Sequence, residues 1–447
     1  MLPSSSFSLQ QTVQSMGGAL LLSVLAGALL VGCGGGGGDE AASSGVASVC
    51  DPDDGGLALP DGFCAAVVAE GLGQPRHLAV ADNGDVYAAL REVHNGGGAV
   101  ALRDTDGDYR ADRTEYFGET GGTGMALRDG YLYHGTPSAV VRYPRAAGTL
   151  RPTEEPETVV RLPDQDSHAA KPVVFDGEGH LYVNVGAPSN ACMEESRTKG
   201  SPGQDPCPLL EAHGGIWQYE ADATGQAHTP EARYASGIRN AVAITWNAAA
   251  DNLYALQHGR DQLAQFFPDL YTQEESAELP AEEFFEVDDG DDFGWPYCYY
   301  DWQQETKVLM PEYGGDGEQV GRCDQFEDPI QAFPGHWGPN DVLFYDGDQF
   351  PDAYQGGAFI AWHGSWNRAP LPQEGYKVTF TPFDGTAPAG DYETFADGFA
   401  GADTLRSSGE AEHRPTGLAV GPDGGLYVAD DGGGTIWRIA YVGENGN

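Results

Sequence analysis

Apolar and polar positions alternate along most of this chain in short runs, and each run is interrupted by an Asp- or Asn-rich turn bearing glycine. The stretch "PVVFDGEGHLYVNVG", ending at Gly186, shows the unit: an apolar run, a turn at Asp176–Gly179, then an alternating run carrying a tyrosine. A period of two puts successive side chains on opposite faces of a strand, so the unit predicts an antiparallel hairpin. It recurs as "PRHLAVADNGDVYAAL" (Pro75–Leu90), "GMALRDGYLYHG" (Gly124–Gly135) and "NAVAITWNAAADNLYALQHG" (Asn240–Gly259). Two further copies are "DVLFYDGDQFPDAYQGGAFIAWHG" (Asp341–Gly364) and "GLAVGPDGGLYVADDG" (Gly417–Gly432). Long runs of helical period are missing outside the N-terminus.

The first three turns stand about 47 residues apart, and insertions stretch the later intervals. Strand repeats of roughly 40–50 residues point to propeller blades, each a small sheet that buries its faces against its neighbours. The expectation is an all-β chain, a six-bladed β-propeller over residues 50–447. Two stacked sandwiches would not require one hairpin to recur with the same turn chemistry. In a propeller the segments that enter the innermost strands converge at one end of the central channel. Those segments carry Arg76 and His77, His168, Arg239 and Asn240, and Arg414. Guanidinium groups and an imidazole gathered there suit an anionic ligand.

Composition changes this picture in three ways. A formal charge of −45 opposes binding to nucleic acid, a polyanion, and reads as a solvated acidic surface. Residues 17–32, "GGALLLSVLAGALLVG", form an apolar run of signal-peptide length ahead of Cys33, and "LVGC" has the form of a lipobox. The expected organisation is a lipoprotein-type signal peptide over 1–32, lipidation at Cys33, and a Gly/Ser-rich tether over 33–49. Residues 1–16 hold no Lys or Arg, a departure from the usual pattern. The destination is then the cell envelope of a bacterium, with the lipid as the only membrane contact. Beyond Cys33 lie six cysteines, and an exported chain with an even number implies disulfides, for which six allow fifteen connectivities. Clustering in sequence favours Cys50–Cys64, Cys192–Cys207 and Cys298–Cys323. No haem-attachment, Walker or GxSxG motif is present.

With those residues in view, the chain resembles the soluble quinoprotein glucose/sorbosone dehydrogenases, six-bladed propellers that bind pyrroloquinoline quinone (PQQ) and calcium. The resemblance spans most of residues 60–440. It rests on the His168 hairpin, "SGIRN" (Ser236–Asn240), "DDFGWP" (Asp291–Pro296), "HGSWNR" (His363–Arg368) with "GYKV" (Gly375–Val378), and "HRPTGLAVGPDGGLYV". It implies His168 as general base and Arg239 with Asn240 as contacts to the quinone and the reacting centre. It places the carbonyls of Gly259 and Arg260, in "QHGRD", on the active-site calcium, and His258 beside the substrate or cofactor. Arg414 matches one cofactor-clamping arginine, while Thr416 stands where the family has a second. Arg76, Arg368 and Lys377 complete the candidate cofactor contacts, the last two for the family's clamping lysine. The implied activity is oxidation of a sugar, aldose or polyol by hydride transfer to PQQ, with calcium as Lewis acid and an unidentified periplasmic electron acceptor.

Other motifs stand beside these. "DTDGDYRAD" places Asp104, Asp106, Asp108 and Asp112 in a calcium-loop-like order without the closing glutamate of an EF-hand, so structural calcium competes with an acidic turn. The tryptophans of "FGWP" and "HGSWNR" read as packing between blades. His134, His213 and His336 are candidates for the channel mouth. Two rival functions remain: a non-catalytic propeller binding carbohydrate or protein, and a calcium-dependent propeller lactonase.

Overall fold

The computed structural model describes residues 49–443; Cys33, the signal-peptide segment and the tether up to residue 48 lie outside them. Six four- or five-stranded sheets, antiparallel except where Gln226–Ala227 pairs parallel with Glu157–Arg161, follow one another along the chain. Their innermost strands are Pro75–Val80, Gly124–Arg128, Val173–Phe175, Ala243–Asn247, Pro339–Phe344 and Pro415–Val420. Each packs on the next, and the last returns to the first, closing a ring. This is a six-bladed β-propeller, numbered here blade 1 to blade 6 in that order. Every hairpin expected from the sequence forms the inner half of a blade.

The turns form for local reasons. In blade 3 the Asp176 carboxylate accepts the backbone N–H groups of Glu178, Gly179 and His180 at 2.9, 2.8 and 2.8 Å, which folds the chain back on itself. Blade 6 takes its outer strand from the other end of the chain. Phe63–Ala69 pairs antiparallel with Ile436–Tyr441, so the ring is clasped by hydrogen bonds between segments far apart in sequence. The Cys50–Cys64 disulfide, with Cα atoms 5.8 Å apart, fastens that outer strand. Cys192–Cys207 and Cys298–Cys323 close two further local loops.

Each blade interface holds its own apolar cluster. Between blades 5 and 6, Phe359, Phe380 and Phe395 meet Val428, Trp437 and Ile439; between blades 2 and 3, Tyr133 and Val140 meet Val183 and Trp217. Inner strands approach so closely that a Cβ on Gly135 would stand 1.9 Å from the Lys171 carbonyl oxygen, so only glycine fits there. This ring of packed interfaces carries the inner loops, and the candidate chemistry lies on them.

Candidate active site on the propeller axis

At one end of the ring the loops entering the inner strands enclose a cavity of about 420 Å³. Its wall includes Arg76 and Arg91 from blade 1, His168 ahead of blade 3, His258 from blade 4, Asn340 and His363 from blade 5, and the carboxylates Glu92 and Asp166. The volume falls within the ~300–1,000 Å³ usual for small-molecule sites.

Hydrogen bonding assigns the His168 tautomer. Its Nδ1 lies 2.5 Å from the Ala187 carbonyl oxygen. A carbonyl only accepts, so Nδ1 carries the proton and Nε2 is left as a free acceptor. The backbone at His168 is left-handed, φ 54°. Gly186 lies beneath: a Cβ there would meet Asn240 Oδ1 at 2.5 Å and His168 Cβ at 2.8 Å. Glycine thus lets His168 and Asn240 close over one point. Burial, followed by the Arg239 charge, lowers the His168 pKa to about 3, so the imidazole is neutral at ordinary pH. His258 behaves alike: Nε2–H donates to the Pro339 carbonyl at 2.6 Å, and burial lowers its pKa to about 4.

Arg239 is buried below this layer and does not line the cavity. Its guanidinium donates to Asp261 at 2.9 Å, Asn190 at 3.0 Å and the His258 carbonyl at 3.3 Å. Asn240 accepts from Asn184 at 3.2 Å and takes the His258 N–H on its carbonyl at 2.9 Å. Both residues expected to touch the ligand therefore hydrogen-bond the His258 backbone from behind. Arg260 is wholly buried, with Nη1 2.6 and 2.7 Å from the two oxygens of Glu312. Among the described residues, the carbonyls of Gly259 and Arg260 accept no hydrogen bond. The Gly259 N–H donates to Glu282 at 2.9 Å, and burial raises that carboxyl to about 7.

The remaining expected contacts divide. Arg76 lines the cavity and pairs with Asp431 at 2.7 Å. Arg414 donates to the His363 and Gly364 carbonyls at 3.0 and 2.8 Å, next to the wall rather than on it. Arg368 is buried against Glu278 at 2.6 Å and the Ala277 and Gly335 carbonyls. Lys377 lies 3.9 Å above the Trp337 ring, lining a separate cleft with Glu374 and Asp397. Thr416 is buried and donates to the Pro75 carbonyl at 2.9 Å. Neither Arg368 nor Lys377 reaches the axial cavity.

The acidic turn brings one oxygen each from Asp104, Asp106 and Asp108 within 4.8 Å of one another, and Asp112 stands outside that group. Asp112 instead accepts from the backbone and hydroxyl of Thr105 at 2.7 and 2.5 Å. His134, His213 and His336 do not line the axial cavity. His134 is sealed inside blade 2, and His336 bonds to the Ser276 and Leu279 carbonyls. Of the two tryptophans expected between blades, Trp295 is buried and donates to the Asn190 carbonyl at 3.1 Å, but Trp366 is 56 % exposed. Its loop is anchored by Ser365 and Arg368 on either side, which turns the indole outward.

Asn340, His363, Arg91 and Asp431 were not among the expected site residues. Asn340 had a legible signal: it stands at the head of an innermost strand, as Arg76 and Asn240 do. The Asp431–His363 pairing had none, since it joins residues of different blades.

Residues 57–442 match the TrAA12-like family model. The PQQ-dependent pyranose dehydrogenase of Coprinopsis cinerea is 28 % identical over 239 residues, covering 45 % of this chain and 30 % of that protein. The chain spans about half or less of the length of the curated relatives it matches. The holo PQQ domain of the C. cinerea pyranose dehydrogenase superposes with a TM-score of 0.69 at 18 % identity, covering 86 % of this chain and 97 % of that one. A calcium structure of a family AA12 carbohydrate-active enzyme from Trichoderma reesei gives a TM-score of 0.70 at 18 % identity, with 86 % and 97 % coverage. At such identity the structures speak for the fold, and the family match speaks for descent: this chain belongs to the TrAA12-like family.

Proposed function

We propose that the axial cavity binds PQQ and oxidises a pyranose, aldose or polyol at a hydroxyl-bearing carbon. The observation that carries this is the free, neutral Nε2 of His168 on the wall of a cavity that also carries guanidinium groups.

The residues present fit a tricarboxylate quinone. Arg76 and Arg91 are on the wall, and the buried Arg76 Nε has no hydrogen-bond partner among the described residues. Permanently charged guanidiniums are the natural partners of carboxylates. Arg76 and Arg91 would hold the cofactor, with Asn340 and His258 at its edges. When bound, PQQ supplies the hydride-accepting carbon. His168 accepts the substrate hydroxyl proton at Nε2, while Ala187 holds the tautomer and Gly186 permits the close approach of Asn240. Arg239 and Asp261 fix the floor without entering it. The uncommitted carbonyls of Gly259 and Arg260 suit calcium, a hard cation that prefers oxygen ligands. Export as an envelope lipoprotein tethered at Cys33, with electrons passing to a periplasmic acceptor, completes the proposal.

A lactonase would need side-chain carboxylates converging on a metal. Among the described residues the acidic group close enough to hold one is Asp104, Asp106 and Asp108, outside the axial cavity. The test is reconstitution of the protein with PQQ and calcium, followed by dye reduction with a panel of pyranoses and polyols and by lactone hydrolysis. Dye reduction that needs both additions, and that chelation abolishes, is the expected result. Lactone hydrolysis without PQQ, or no turnover of any sugar by a PQQ-loaded protein, would overturn it.

A further inference from the structure

Three imidazoles line the cavity, and they are not equivalent. His168 and His258 each donate to a neutral backbone carbonyl. His363 alone donates to a carboxylate: its Nε2 lies 2.6 Å from Asp431 Oδ1. The other oxygen of Asp431 receives Arg76 Nη1 at 2.7 Å. The carboxylate is 5 % exposed, and both residues it grips line the cavity. Arg414 closes the same corner, with its guanidinium on the His363 and Gly364 carbonyls. Among the described residues, the His363 side chain hydrogen-bonds through Nε2 and not through Nδ1.

We infer that Asp431 is a positioning residue of the site: it locks His363 in the Nε2–H tautomer, so that an Nδ1 acceptor and the Arg76 guanidinium are presented to the ligand side by side. The inference rests on the reading of the cavity as a sugar-oxidising site and adds a second acceptor to it, one that receives a substrate hydroxyl. The electrostatics agree. His363 and Arg76 hold the Asp431 carboxyl well below the usual carboxylate range, although burial pushes it up. The carboxylate therefore remains an acceptor toward both neighbours.

The Asp431→Asn substitution separates this role from mere packing. An amide offers one oxygen and one NH₂ where the carboxylate offered two oxygens. Arginine can only donate, so the amide oxygen turns to Arg76 and the NH₂ faces His363. The imidazole must then accept at Nε2 and carry its proton on Nδ1. The shape is kept, and the cavity exchanges an acceptor for a donor, the logic by which a triad aspartate sets its histidine's tautomer.

The tautomer can be read by ¹⁵N NMR of histidine-labelled protein before any cofactor is added. Wild type is expected to show Nε2–H at His363, and Asp431→Asn to show Nδ1–H. In PQQ-loaded enzyme the same variant should raise the sugar KM about tenfold or more, with a smaller change in kcat, because a donor now meets the substrate hydroxyl. An Nδ1–H tautomer in wild type, the same tautomer in both proteins, or a swapped tautomer with unchanged KM would overturn the inference. If instead wild type fails to take up PQQ, the functional reading fails while the tautomer result stands on its own.

Discussion

His134 is a buried imidazole with nothing to hold on to. It lies in the second strand of blade 2, is 0 % exposed, and neither ring nitrogen has a hydrogen-bond partner among the described residues. Burial alone lowers its pKa from 6.5 to about 4. Unfolded chain therefore binds the proton between pH 6.5 and 4 while folded protein does not, and stability falls as pH falls through that window. At pH 4.5 the loss attributable to His134 is roughly 2–3 kcal/mol relative to pH 7.5, from the linkage of a group shifted from 6.5 to about 4. His77 and His258, also lowered to about 4, add losses of the same sign, so wild type alone does not isolate His134. Substituting His134→Leu does, since the difference between the two pH profiles cancels every other group. Urea denaturation of both proteins at pH 7.5, 6, 5 and 4.5 should give profiles that diverge by roughly 2–3 kcal/mol toward acid. The variant should also gain about 1–3 kcal/mol near pH 7.5, because an unpartnered polar group leaves the core. Parallel profiles would refute the reasoning. His413 is a control of opposite sign: its hydrogen bond to Asp430 raises its pKa, so its contribution is present in acid and lost as pH rises.

In PQQ-loaded enzyme, His168→Gln should lower kcat by about 10²–10⁴-fold, because glutamine can keep the bond to Ala187 but cannot accept the proton; dye-linked steady-state kinetics measure this, and a loss under threefold would remove His168 from the role. Glu312→Gln leaves the Arg260 charge buried without its partner, so urea melts should show a loss of about 3–5 kcal/mol, and pairing it with Arg260→Met should recover much of that. Replacing Cys192 and Cys207 by serine opens a loop with a sequence separation of 15, for which chain entropy predicts a loss of about 3 kcal/mol, read from the same melts under oxidising conditions.

The blades were legible because their signals are local. Alternation and an Asp-bearing turn lie within one short segment, as in Val173–Val185, and six copies imply a ring. The closing strand Phe63–Ala69 was not, since its partner Ile436–Tyr441 lies at the opposite end of the chain and nothing near either segment announces the pairing. At the site, the placement of His168 at a blade entrance followed from topology alone. The direction of Arg239 did not: its charge suggested a ligand contact, but Asp261 and Asn190 draw the guanidinium into the floor. Arg368 is a similar case, committed to Glu278 from a helix distant in sequence. Trp366 shows the converse, where an aromatic residue taken for core is turned outward by the anchors of its loop.

The proposed chemistry requires the cofactor to reside in the axial cavity. Ala170 and His168 both line that cavity, so the indole of Ala170→Trp would occupy space the cofactor needs. An absorbance titration of calcium-loaded protein with PQQ, run on wild type and on this variant after circular dichroism has shown both to be folded, is the direct measurement. One equivalent bound by wild type and none by the variant is the predicted result; equal binding by both proteins would contradict it.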